Sequence, residues 1–371
     1  MTFRETTFSV GLSLLIPIFL FLILELLLQL FWKNPYLEKP LDTSARLHAK
    51  NMTIEVSTEG FYPHDDPIFF RTLTDRSIFS GVLADGGDFV ALGGSTTESS
   101  LVPEGQRWPD LLNPPAMNYG VSGNYLIDSY YNLIYLHGHM NPPPNTATIM
   151  HAVNDLEFFI SQGSEKFEIS NWSHSLENPL VTFDSTNRDF IGEISISSSA
   201  VMSLITYVRN NTGARRIVAP YLAQKKSRDM ISILEDEPFQ ELKHDLVETF
   251  LPKRLTVLEQ ILEASRNLKV KLIMLTQPHA YTDTYTPPVQ DLRITPVWRG
   301  DRLSILQTAE LMELVNNQTK IFAEGNGIRV IDLAKCLKAQ KTGPLFFDSV
   351  HYSFEGSRKV ADCINRDIRE N

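Results

Sequence analysis

Apolar positions are spread unevenly along the chain. From Phe8 to Phe31 the sequence FSVGLSLLIPIFLFLILELLLQLF is almost wholly apolar and carries no charge before Glu25. About 20 apolar residues suffice to cross a bilayer, so this stretch predicts a transmembrane helix. It is too long for an ordinary signal peptide, and Lys33-Asn34-Pro35 rather than a small-residue cleavage site follows it. It therefore reads as an uncleaved single-pass anchor over residues 1–33. Residues 34–80 are polar, carry scattered prolines and lack periodicity, and are expected to form a stalk and lead-in.

A different rhythm starts at about residue 81. Short apolar runs at 88–92, 146–152, 270–276 and 328–333 end in turn residues and predict buried strands, with a shorter one at 116–119. Between them, helical spacing appears over 124–137, 238–266 and 302–324, and a last helix is expected from Phe354 to about Arg369. Strands alternating with helices predict one α/β domain over 81–371, with a parallel sheet covered on both faces. Residues 157–235 break the rhythm. They are rich in Ser, Asn and Thr, with a helix expected at 196–209, and are read as an insertion forming a lid or substrate rim.

Net charge is -10 and the pI is about 5.4. This excludes the basic footprint of a nucleic-acid partner. The nine His are dispersed without metal-ligand spacing, so no metal and no cofactor are expected. Cys336 and Cys363 form no CxxC motif; a disulfide and two separate thiols both remain open. Sequons at Asn51, Asn171, Asn210 and Asn317 matter only in a eukaryotic secretory setting. Orientation is also open. Lys33, Lys39, Arg46 and Lys50 after the apolar stretch favour a cytoplasmic domain by the positive-inside rule, whereas the short N-terminal tail favours an extracytoplasmic one.

The chemistry lies at strand ends, where open α/β sheets bind ligands. Gly93-Gly94-Ser95-Thr96-Thr97-Glu98 puts a serine directly after a strand. Its hydroxyl can act as a nucleophile, but Ser95-x-x-Glu98 also matches a capping box, so nucleophile and helix cap both stand on this motif alone. Asp348-Ser349-Val350-His351 places an acid and an imidazole three residues apart. His351 can accept a serine proton while Asp348 fixes its tautomer. In Asn118-Tyr119-Gly120-Val121-Ser122-Gly123-Asn124, a glycine N–H can approach an oxyanion. In His151-Ala152-Val153-Asn154-Asp155, the Asn154 amide can supply a second donor, or form an Asx-turn. His279, in Thr276-Gln277-Pro278-His279, is a candidate substrate contact, with an ordinary surface histidine as the alternative. His151 reads as structural. The Gly-Lys-Ser/Thr of a phosphate-binding loop is missing from the Gly93-Gly94 turn.

These four pieces, in this order over about 260 residues, resemble the SGNH (GDSL-type) hydrolase superfamily, in particular its membrane-anchored bacterial-type members. The resemblance covers 86–371 apart from the insertion. It implies a flavodoxin-like three-layer α/β/α fold, Ser95 as nucleophile, His351 as base and Asp348 as its orienting acid. It further implies an oxyanion hole made of Ser95 N–H, Gly123 N–H and the Asn154 side chain, with Gly120 the alternative to Gly123. The expected substrate is an acyl ester, such as an acetylated carbohydrate, and the usual location of such proteins is extracytoplasmic. Transfer of an acyl group to a polysaccharide, and a non-catalytic binding role on the same scaffold, are the alternatives. The chain departs from the usual motifs twice: Gly94 stands where G-D-S has Asp, and Ala152 where G-x-N-D has Gly.

Overall fold

The computed structural model describes residues 45–48, 53–57, 68–80, 89–172, 215–216, 218–283, 285, 292–338 and 345–370, together with Leu20, Phe21, Ile23 and Leu27. Those last four are helical, and their apolar side chains are exposed. The rest of the expected anchor, and the helix expected at 196–209, lie outside the described residues. Among the described residues, no helix is long and apolar enough to cross a membrane.

The strands are β1 (Thr53–Ser57), β2 (Ile68–Arg71), β3 (Phe89–Gly93), β4 (Met117–Asn118), β5 (Thr146–Met150), β6 (Arg215–Arg216), β7 (Lys271–Leu275), β8 (Val297–Trp298), β9 (Asp301–Arg302) and β10 (Arg329–Ile331). Five of them form the central sheet, in the order β10-β7-β5-β3-β4, and every neighbouring pair is parallel. Numbered along the chain, this is the 2-1-3-4-5 order of flavodoxin-like folds. The chain order reverses between β3 and β5, where such sheets open a ligand crevice at their carboxyl ends.

The helices are α1 (Ser95–Glu98), α2 (Leu126–His139), α3 (Val153–Gln162), α4 (Val218–Asp229), α5 (Asp236–Asp245), α6 (Leu251–Leu268), α7 (Ile305–Gly325), α8 (Leu333–Lys338) and α9 (Phe354–Glu370). Val90, Leu92, Ala147, Ile149, Leu272 and Met274 pack with Leu133, Leu258 and Val315 of α2, α6 and α7. Their neighbours Ala91, Met150, Ile273 and Leu275 pack with Trp108 and with Val360 and Ile364 of α9. Alternate residues thus feed two cores. This explains why the strands read as unbroken apolar runs rather than as alternating ones.

Two expected helices change at their ends. The 238–266 pattern resolves into α5 and α6 joined by a π-turn at Leu246–Phe250; Pro252, which has no N–H to donate, stands in the first turn of α6. The 302–324 pattern begins at Ile305, because Ser304 and Gln307 form a reciprocal capping box.

The stretch read as a stalk is partly packed structure. Leu47 joins the core. The backbone of Arg46 exchanges hydrogen bonds with the Asn132 side chain, at 3.0 Å and 3.1 Å. His48 is buried with Nε2 3.0 Å from Gly120 O, and Ile78 N–H donates to Asn118 O at 2.8 Å. The expected insertion likewise starts inside a helix, since residues 157–162 complete α3. Segment 163–172 then packs on α2, where Tyr131 Oη donates to Ile169 O and Trp172 Nε1 to Asp128 Oδ1. A disulfide joins Cys336 of α8 to Cys363 of α9.

Candidate active site

The tight turn after β3 presents Ser95 at the sheet edge. The cap of α1 is Gly94, which makes no side-chain bond, so Ser95 is the first helical residue and not a helix cap. Its Oγ instead lies 2.7 Å from His351 Nε2. His351 Nδ1 lies 2.6 Å from Asp348 Oδ2, which assigns the proton to Nδ1 and leaves Nε2 to accept from Ser95. Asp348 is held in turn: its Oδ1 accepts the N–H groups of Val350 and His351 at 2.9 Å and 2.8 Å. The loop carrying both residues is tied down by Ser349, whose carbonyl oxygen accepts Ala280 N–H and whose Oγ accepts Ile294 N–H and donates to Ile294 O.

Asp348 is 1% exposed and His351 22% at the side chain. Burial works against the imidazolium, but the charge and hydrogen bond of Asp348 outweigh it, aided by Glu98 and Glu157. The His351 pKa is therefore raised above its ordinary value of 6.5. A base of raised pKa beside a serine hydroxyl is suited to take its proton.

The candidate oxyanion donors lie close together, with the Asn154 amide against both the Gly94 turn and Asn124 O. Among the described residues, no acceptor meets the N–H of Ser95 or of Gly123, whose φ is +76°. Gly120 N–H, in contrast, is taken by Asn118 Oδ1 at 2.9 Å. The close approach of Gly120 also has another cause: a Cβ there would lie 2.3 Å from Glu98 N. Gly123 is thus the better placed of the two glycines. Asn154 stands in the first turn of α3, and its Nδ2 donates to Asn124 O at 2.8 Å, leaving its second hydrogen for another acceptor. A Cβ at position 94 would lie 2.5 Å from that Nδ2. Gly94, the residue that departs from the G-D-S pattern, is what lets the Asn154 amide come up against the turn that carries Ser95.

Arg254 and Gln277, which belong to no motif, contribute to the site. Asp155 and Arg254 form a fully buried ion pair at 2.9 Å, with Asp155 Oδ1 accepting Leu126 N–H and Arg254 also reaching His151 O, Gln318 and Thr319. This network anchors the α3 turn that carries Asn154. His151 is buried, with Nε2 2.7 Å from Ser129 Oγ, in the structural role expected of it. From the Thr276–His279 segment it is Gln277 that reaches the centre: its Oε1 accepts Val153 N–H at 2.9 Å and its Nε2 lies 3.4 Å from Thr96 Oγ1. His279 makes no hydrogen bond to the triad. Burial lowers its pKa to about 4, and the charges it feels are Glu313 and Lys338. Among the described residues, no group of His, Cys, Asp and Glu is arranged to hold a metal ion.

No protein-family model and no curated protein matches the chain. Solved structures similar to it include a lipolytic G-D-S-L family member from Veillonella parvula, at 15% identity and TM-score 0.39, with 76% of this chain and 98% of that one covered. The acetyl xylan esterase AlAXEase is 13% identical at TM-score 0.40, covering 76% and 99%. A catalytic mutant of Axe2, an acetylxylan esterase from Geobacillus stearothermophilus, is 13% identical at TM-score 0.38, covering 76% and 93%. At these scores the functional reading rests on the chain's own topology and side chains.

Proposed function

We propose that the chain is a serine esterase of the SGNH type that forms an acyl-enzyme at Ser95. The observation that carries this reading is the continuous hydrogen-bonded relay Ser95–His351–Asp348, at 2.7 Å and 2.6 Å, at the switch point of the sheet. His351 Nε2 takes the Ser95 proton as Oγ attacks the ester carbonyl. Asp348 holds the imidazolium, and the negative oxygen of the tetrahedral intermediate meets Ser95 N–H, Gly123 N–H and the free hydrogen of the Asn154 amide. Collapse transfers the proton from His351 to the leaving alcohol. Water then attacks the acyl-enzyme by the same route in reverse.

The substrate proposed is an acyl ester, foremost an O-acetyl group on a carbohydrate. The half-buried rings of Tyr125, Phe158 and Trp172 support it: they lie 5.2–5.5 Å apart next to Asn124 and one turn beyond Asn154. Aromatic faces of this kind offer an apolar bed for a flat organic group. We further propose membrane attachment through residues 8–31 and an extracytoplasmic catalytic domain. The exposed apolar helical positions 20, 21, 23 and 27 support the first. The Cys336–Cys363 disulfide supports the second, because such bonds persist in oxidising compartments.

Labelling of the full-length chain by a fluorophosphonate probe tests the reading. Wild type is expected to label, with Ser95→Ala abolishing the signal and His351→Ala greatly slowing it. Labelling that survives Ser95→Ala would remove Ser95 as the nucleophile.

A further inference from the structure

Glu98 ends α1 three residues after Ser95 and is completely buried. Its Oε2 accepts the N–H of Ser122, the residue before Gly123. Its Oε1 is buried without a hydrogen-bond partner. The two backbones also meet here. Gly120 packs against Glu98 N, and Asn118 Nδ2 donates to Thr97 O at 2.9 Å. The nucleophile turn and the 118–124 loop are thus laid side by side, and Glu98 is the acidic side chain that crosses between them. A buried carboxyl with one unpartnered oxygen costs stability, whereas an apolar side chain of similar volume would fill the space without that cost. The hydrogen bond it accepts from Ser122 N–H is the contact that gives the carboxyl a use in joining the two segments.

We propose that Glu98 is a positioning residue, which by accepting Ser122 N–H fixes the turn that aims Gly123 N–H at the oxyanion forming over Ser95. This rests on the reading of Ser95 as nucleophile and Gly123 as donor. The electrostatics are consistent with it. Burial pushes the Glu98 pKa up to about 7, against the Ser122 hydrogen bonding and the charges of His351 and Arg107, the charged groups that face it. Its own charge is among those that raise His351.

The test uses the full-length chain with Glu98→Gln, Glu98→Asp and Glu98→Ala. Hydrogen exchange of the 119–125 segment is followed beside hydrolysis of p-nitrophenyl acetate. Gln keeps an acceptor at the same reach without the charge, whereas Asp keeps the charge but is one methylene too short. Glu98→Gln is expected to retain slow exchange at Ser122 and kcat within a few-fold of wild type. Glu98→Asp and Glu98→Ala are expected to exchange faster and to lose about 10- to 100-fold in kcat with KM little changed, less than the roughly 10²- to 10³-fold of losing an oxyanion donor outright. Glu98→Gln should also move the acid limb of kcat/KM to lower pH, because the charge that raises His351 is gone; filling of space alone would not move it.

Wild-type kcat and exchange in Glu98→Asp, or a Gln variant as impaired as Ala, would overturn the proposal. Should Glu98→Ala fail to fold, the Gln and Asp variants still decide. A wild type inert to both ester and fluorophosphonate would overturn the esterase reading instead, and the exchange pattern would then judge the Glu98 tether separately.

Discussion

Gly94 and the Asn154 amide share one small space: a Cβ on residue 94 would stand 2.5 Å from Asn154 Nδ2. The obstructing atom is the end of a side chain, which can swing away without moving backbone. Gly94→Ala is therefore expected to fold with near-normal stability while displacing the amide from the nucleophile turn. The loss should fall on kcat, by about 100- to 1000-fold as for removal of an oxyanion donor, and Asn154→Ala should lose a similar factor. The double variant should be no worse than either single one, because both remove the same donor. Steady-state kinetics on p-nitrophenyl acetate, with a melting curve for each variant, decides between this and a simple folding defect.

On the proposed reading, the Asp348–His351 pair sets the pH dependence of turnover. His351 must be neutral to accept the Ser95 proton, and its pKa is raised above 6.5 by Asp348. The rate should thus rise with pH along a limb lying above the ordinary imidazole value. For stability the sign is opposite. A histidine of raised pKa favours the folded state fully below 6.5, and that contribution is lost as pH climbs through the folded value. Asp348→Asn presents an amide to donors that need an acceptor. It should lower kcat by about 10³- to 10⁴-fold and move the limb to lower pH. An unmoved limb in this variant would show that a different group controls the titration.

How much of this was legible beforehand depends on the range of each interaction. Ser95 could be read because it directly follows the apolar run of β3. Asp348 and His351 lie beyond α8 in the loop before α9, so their meeting with Ser95 depends on that loop as well as on sheet topology. Asn154 was legible for the same reason as Ser95, since it comes just after β5. The choice of Gly123 over Gly120 was not decidable from residues, since it turns on Asn118 Oδ1 taking the Gly120 N–H and on the backbone of Glu98 lying against Gly120. Gln277 and Arg254 meet partners 124 and 99 residues away. In a single sequence such polar residues look like solvated surface. Arg46 and His48 were read into a stalk for that reason: their polarity hides that Arg46 Nη1 donates to Gly123 O at 2.7 Å and that His48 is buried.

The Asp155–Arg254 pair makes a prediction about stability rather than rate. Both side chains are essentially inaccessible, at 0% and 1% exposure, and Arg254 makes further bonds to His151 O and Thr319. Truncating one partner leaves the other as an uncompensated buried charge, at a cost of about 3–5 kcal/mol. Arg254→Leu should show this loss in urea unfolding, with the remaining folded protein impaired because the α3 turn bearing Asn154 is loosened. Asp155→Leu should lose a comparable amount. A loss below about 1 kcal/mol in both would mean that water or relaxation reaches the pair.

The disulfide encloses the loop that bears Asp348 and His351. Cys336 and Cys363 are 27 residues apart, and Asp348 and His351 both lie between them. Closing a loop of that length stabilises the folded chain by about 3–4 kcal/mol through the entropy of the unfolded state. Part of that constraint acts on the segment holding the base, which is otherwise held by Ser349 and by the short bridge between Phe346 and Tyr352. Reduction, or Cys336→Ser with Cys363→Ser, is expected to lower the melting temperature. It should also speed hydrogen exchange over 345–352 more than over the central strands. Ester turnover should fall at temperatures where the chain as a whole is still folded, because the loop loosens before the sheet does. Equal loss of protection in loop and sheet would instead make the disulfide a global staple with no special hold on His351.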